Sequence, residues 1–220
     1  MSQGRKKVLI LIDWFEPAYK AGGQIQSCRN IVMRLQDNCD FYILTSDRDI
    51  GDAQPFKGVA TEQWLPYGTH ARVYYLKASE LTTGRLKKIM NDVKPDVVYL
   101  NSMYSYRFTL LPLTHLASCD VQIVLAPSGM LQEGALQFGK LKKQLFLALF
   151  RLSGIQRKIL FHATDETEAQ DICTHISKNA RIIVAQCLPA SIHTELRPAD
   201  KNVNELRVVY LSRITPKKNL

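Results

Sequence analysis

The residue types best placed to do chemistry in this chain begin with a glycine pair, Gly22-Gly23, between a short apolar run and a helical pattern. Glycines let a ligand's phosphates approach the backbone, and a helix N-terminus offers unpaired N–H groups and a favourable dipole. A tight turn alone would also take a Gly-Gly pair. The spacing is not the dinucleotide fingerprint: there is no G-x-G-x-x-G, and the loop from Asp13 to Ala21 is too long for one. That argues against an ordinary nicotinamide enzyme. A second tempting pattern is Asp47-Arg48-Asp49, an Asp-x-Asp just past a strand. Hard cations need several oxygen ligands, and two carboxylates in a loop directly after a strand are more often solvated turn residues, so the pair reads as that. No metal and no cofactor are expected.

The elements that must position these residues follow from apolar periodicity. Val8 to Ile12, led by Lys6 and Lys7, reads as a strand buried on both faces. From Gln24 the apolar residues Ile25, Cys28, Ile31, Val32 and Leu35 recur at steps of three and four, which predicts a helix. Further strands are expected over 41–45, 72–76, 96–100, 121–126, 159–163 and 181–185. Helices are expected over 81–93, 108–117 and 135–151, and from Asp165 to about Ile176. Pro95 ends the second helix, and Asp165-Glu166-Thr167-Glu168 has capping-box spacing, so its acids read as helix-start chemistry. The alternation predicts an α/β fold, a Rossmann-like doubly wound parallel sheet with helices on both faces. Ligands of such sheets sit at the carboxyl ends of the strands. The cleft candidates are therefore Asp13, Gln24, Asn101, Ser128 and Gly129, each of which could equally serve as a cap or turn residue.

The stretch from Ala135 to Lys158 is basic and leucine-rich. Leu136, Leu141, Leu145, Leu149 and Leu152 share an apolar side, among Lys140, Lys142, Lys143, Arg151, Arg157 and Lys158. Two readings stand side by side. Either the leucines pack in the core with the cations in water, or the helix lies on an anionic membrane surface contacted by Lys140, Lys142 and Lys143.

Composition sets the outer limits. The 220 residues are 46% hydrophobic and 22% charged, enough for one good-sized core, or one domain and the start of another. No apolar run approaches the roughly 20 residues that span a bilayer, and the basic N-terminus lacks the apolar stretch of a signal peptide. Five scattered cysteines, none in a C-x-x-C pair, fit reduced thiols and a cytoplasmic setting, with peripheral attachment to the inner face of a membrane as a further expectation. The net charge of +9 suggests an anionic partner. Nucleic acid is not expected, because no helix-turn-helix, zinc-finger or RNP-like pattern is present. From Leu188 the texture changes: Pro189, Pro198 and the polar run Asp200 to Glu205 read as a linker, and Leu206 to Leu211 begins a fresh strand.

These residues resemble successive motifs of glycosyltransferase family 4. The resemblance rests on the Gly22-Gly23 loop, Pro127-Ser128-Gly129-Met130-Leu131 with Gly134-Ala135-Leu136 and Lys142-Lys143, His162-Ala163-Thr164-Asp165-Glu166-Thr167-Glu168-Ala169, and Leu211-Ser212-Arg213-Ile214-Thr215-Pro216-Lys217-Lys218. They stand in the family's order over nearly the whole chain. The likeness implies a GT-B enzyme, with two Rossmann-like domains facing across a cleft. Residues 1–188 would be the N-terminal acceptor domain, 189–206 a linker, and 207–220 the truncated start of the nucleotide-sugar domain. It implies retaining sugar transfer from a nucleotide-sugar donor to a glycan or lipid-linked acceptor, without metal, especially in bacterial surface polysaccharide synthesis. Gly22 and Gly23 would abut the donor diphosphate, and Arg213 and Lys218 would clasp it. Asn101 and Ser128 stand where many members carry histidine or, near Ser128, arginine, which leaves them as hydrogen-bonding candidates. A nucleic-acid-binding α/β protein and a nucleotide-sugar epimerase of similar fold are the alternative expectations.

Overall fold

A computed structural model describes residues 4–137, 139–190 and Val208. The elements run β1 (Lys6–Leu11), α1 (Gly23–Leu35), β2 (Cys39–Ser46), β3 (Trp64–Tyr67), β4 (Ala71–Leu76), α2 (Thr83–Val93), β5 (Val97–Asn101), α3 (Leu111–Leu116), β6 (Gln122–Ala126), α4 (Glu133–Gln137), α5 (Lys140–Leu152), β7 (Ile159–Ala163), α6 (Glu166–His175) and β8 (Arg181–Val184). The strands form one sheet in the order β3-β4-β2-β1-β5-β6-β7-β8, parallel except for β3 at its edge. This is the Rossmann-like α/β fold that the alternation of elements predicts.

The continuous apolar run of β1 is explained by its central place. Leu9 and Leu11 join one core with Leu86 and Ile89 of α2, Leu113 of α3, Phe150 of α5 and Ile172 of α6. Ile10 joins the other, with Cys28 and Val32 of α1 and Ile43 of β2. Handedness makes this division. The crossover from β1 to β2 runs one way along the sheet and those from β4 onward run the other, so right-handed connections place α1 opposite α2, α3, α5 and α6. The strand order therefore reverses beside β1, and the crevice between the β1 and β5 loops is where open sheets of this kind take ligands.

Three elements differ from expectation. β3 was not foreseen, because Pro66 interrupts a four-residue run; as an edge strand it tolerates the proline, and Trp64 packs edge-on against Tyr42 and Tyr74 at 5.2 Å. The helix expected over 108–117 opens as a π-helical turn, Tyr106–Leu110, before α3. The helix expected over 135–151 is two helices, because Gly139 sits at φ 68° between α4 and α5. Breaking there also divides the leucines: Leu136 packs on the core from α4, while Leu141, Leu145, Leu149 and Leu152 face outward from α5.

Candidate functional site

The loop after β1 is held from several directions. The Glu16 carboxylate accepts the Tyr67 hydroxyl at 2.7 Å and pairs with Arg29 of α1 at 3.1 Å, while its carbonyl accepts the Tyr75 hydroxyl. The peptide between Glu16 and Pro17 is cis. From the β2 loop, the buried Asp49 accepts backbone N–H groups of Tyr19 at 2.8 Å, Lys20 at 3.1 Å and Ile50 at 2.7 Å. Burial pushes the Asp49 carboxyl up, but these N–H groups and the nearby Lys20 ammonium outweigh it and hold it below the usual carboxylate range. Asp47 meanwhile takes both arms of the Arg48 guanidinium, at 2.7 and 3.0 Å. The Asp-x-Asp pair is thus buried and builds the loop, where the sequence pattern predicts solvated turn residues. Among the described residues no group of three or more His, Cys, Asp or Glu is placed to hold a metal ion.

This loop delivers α1 with its N-terminus open. Gly22 is the N-cap at φ 69°, ψ −125°, a conformation that L side chains rarely adopt, and among the described residues no side chain caps the helix. Ile25 N–H bonds back to the Gly22 carbonyl at 3.0 Å, but the N–H groups of Gly23 and Gln24 find no partner among the described residues. Gly23 has no backbone need for glycine, and among the described residues a Cβ built on it meets nothing within 4 Å. Free space and free donors coincide there. That is the condition under which an anion can lie against a backbone.

Across the reversal point, the other candidates are tied into a chain of hydrogen bonds. Asp13 accepts the Ser105 hydroxyl at 2.7 Å, joining the β1 and β5 loops, and Ser105 in turn caps Phe108 N–H. Burial raises the Asp13 carboxyl above its ordinary value, only partly offset by the Ser105 bond. Ser128, at φ 54°, donates to the buried Asn101 side chain at 3.1 Å, joining the β5 and β6 loops. Gly129, at φ 72°, donates its N–H to Glu168 at 2.7 Å, and the second Glu168 oxygen accepts the N–H and hydroxyl of Thr164, both at 2.8 Å. The β1, β5, β6 and β7 loops are thereby stitched along one edge.

Glu168 is the residue that the sequence reading missed. Asp165 does cap α6, accepting Glu168 N–H at 2.8 Å. The Glu168 side chain does not close the box onto Asp165, however; it is buried and serves the neighbouring loop. The sequence signal was an acid three residues past the cap, which names a helix start and not a cross-link.

Of the remaining candidates, Gln24 is half-exposed on the first turn of α1. Arg213 and Lys218 lie outside the described residues. Lys140 and Lys142 are exposed on α5, but Lys143 turns inward, over the Tyr104 ring at 5.3 Å from its centroid and donating to the Ala135 carbonyl at 2.5 Å. It is thus placed away from the outer face of the helix. Among the described residues no helix is long and apolar enough to cross a membrane. No protein-family model matches the chain. No curated protein matches it either.

Proposed function

We propose that the chain is the acceptor-binding half of a retaining glycosyltransferase that moves a sugar from a nucleotide donor to a glycan or lipid-linked acceptor at the inner face of a bacterial membrane. The observation that carries the reading is the open N-terminus of α1 at Gly23, on the β1 side of the strand-order reversal together with Asp13, with Asn101 and Ser128 on the β5 and β6 loops beyond it. The order of the motif-like runs, from Gly22-Gly23 to Lys217-Lys218, supports it independently.

In this reading the N–H groups of Gly23 and Gln24 and the α1 dipole face the donor diphosphate, and Arg213 and Lys218 are the residues that the resemblance assigns to clasp it. As the glycosidic bond breaks, negative charge builds on the departing nucleoside diphosphate, and donors fixed beforehand stabilise it without reorganising. Asp13, Asn101 and Ser128 offer polar groups to acceptor hydroxyls. The bonds of Ser105 to Asp13 and of Ser128 to Asn101 hold the rotamers in place before the acceptor arrives. In this reading a second, nucleotide-sugar domain supplies the other walls of the donor pocket.

The test is a panel of nucleotide sugars with glycan and lipid-linked acceptors, offered to the full-length protein and to residues 1–220. The reading expects transfer with retained anomeric configuration by the full-length protein alone. Inverted product, no transfer from any donor, or repeated turnover by residues 1–220 would overturn it.

A further inference from the structure

α5 has two apolar sides, and among the described residues only one of them packs into the core. Leu147 and Phe150 are buried in the core, with Phe146 packed beside them. Leu141, Leu145, Leu149 and Leu152 are 82%, 63%, 58% and 82% exposed. At about 100° per residue they fall within an arc of about 80°, running some 16 Å along the helix on the side away from the core. Lone exposed leucines are ordinary, but a contiguous row on one helix face marks a surface that meets something apolar.

The charges around the row say what that is. Residues 139–158 contain six Lys or Arg and no Asp or Glu. Lys142 borders the leucines on one flank, and Lys140 and Arg151 stand exposed on the other. Lysines at 140, 142 and 143 also crowd the first turn, where the helix dipole disfavours cations and no acidic residue offsets them. Such a breach of local rules is expected where a function demands it. A second copy of this chain would bring the same cations against them. An anionic bilayer supplies what the face lacks: a hydrocarbon boundary for the leucines and phosphates for the cations.

We infer that the outward face of α5 docks on anionic bilayers, with Leu141, Leu145, Leu149 and Leu152 entering the headgroup boundary and Lys140, Lys142 and Arg151 contacting lipid phosphates. This names the membrane partner of the transferase and rests on that reading for its biological role. The binding itself needs no sugar nucleotide or acceptor, so the two fail separately.

Sedimentation of the 220-residue chain with vesicles of equal parts phosphatidylglycerol and phosphatidylcholine tests it, against vesicles of phosphatidylcholine alone. Binding is expected only to the anionic vesicles and weakens with salt. Lys140→Gln with Lys142→Gln lowers affinity about 25-fold, since each cation near such a surface contributes roughly fivefold. Leu145→Gln with Leu149→Gln lowers it about tenfold or more. Lys57→Gln with Lys77→Gln, at the other end of the sheet, changes it less than twofold. Circular dichroism melting checks that each variant is folded, and Leu141→Gln with Leu152→Gln replaces the leucine pair if that pair unfolds. Equal binding to neutral vesicles, equal losses from the two lysine pairs, or indifference to the leucines overturns the proposal. So does a dimer in solution that the leucine substitutions convert to monomer, because the row would then belong to a second copy.

Discussion

The Glu168 carboxylate on α6 accepts the backbone N–H of Gly129, thirty-nine positions earlier, at 2.7 Å. With its other oxygen on Thr164, this one side chain fixes the β6 loop relative to the β7 loop. The β6 loop also carries Ser128, whose hydroxyl meets Asn101. A residue outside the proposed cleft thus holds two residues inside it.

Glu168→Ala is expected to cost about 3 kcal/mol, because it strands two backbone donors at a buried site. For a chain of this size that is a fall of roughly 6–12 °C in Tm. Glu168→Gln keeps the shape and one acceptor, and falls between. In transfer assays at a temperature where the variants remain folded, both raise the acceptor KM more than the donor KM. A thermal shift below about 1 kcal/mol for Glu168→Ala would mean that water replaces these bonds.

Asp13 gives the pH signature. Its folded pKa is raised above the ordinary 3.8 by burial, so the folded chain binds that proton more tightly than the unfolded chain does. The group therefore destabilises the fold above its folded pKa, and the penalty disappears as pH falls below 3.8. Asp13→Asn, which can still accept from Ser105, should raise Tm at pH 7, and its advantage should shrink steadily on acidification. Thermal melts at a series of pH values measure this. A constant or growing advantage at low pH would place the shift elsewhere. Reduced transfer by the same variant, despite its stability, is expected if the carboxylate faces the acceptor.

Arg213 and Lys218 should matter to the donor, and Lys217 should not. A charge-assisted phosphate contact is worth roughly 1.5–3 kcal/mol, whereas a solvated lysine contributes little. Arg213→Ala and Lys218→Ala in the full-length protein are expected to lower donor kcat/KM by at least tenfold, and Lys217→Ala by less than twofold. Equal effects at all three positions would indicate a diffuse basic patch.

Much of the fold was legible in the sequence because β1 and α1 keep clean periods and because β and α elements alternate. The central β1 was readable from Val8 to Ile12, whose lack of alternation already says that both faces are covered. The direction of α5 was not readable. Its leucines and its Phe146-Leu147-Phe150 group both have helical spacing, and only packing decides which pair of faces turns inward; the bulkier aromatic side did. At the site, position along the strand ends was enough to raise Asp13, Asn101 and Ser128. Their pairing with Ser105 and with each other depends on which strands are neighbours, which periodicity does not give. The distinction between Gly22 and Gly23 was equally hidden, since one carries a positive φ and the other only empty space.

That distinction supplies the most direct test of the account. Gly22→Ala forces a side chain into a strained conformation and should destabilise the fold by roughly 1–3 kcal/mol whatever the function. Gly23→Ala adds a side chain that meets no other group within 4 Å among the described residues, and a better helix former, so Tm should hold or rise slightly. If donor phosphates lie against this N-terminus, the added methyl group occupies their place. The measurement is donor kcat/KM of the full-length protein with Gly23→Ala, alongside its Tm. The account predicts a fall of at least tenfold in a protein as stable as the wild type. Unchanged kcat/KM in that stable variant would contradict it.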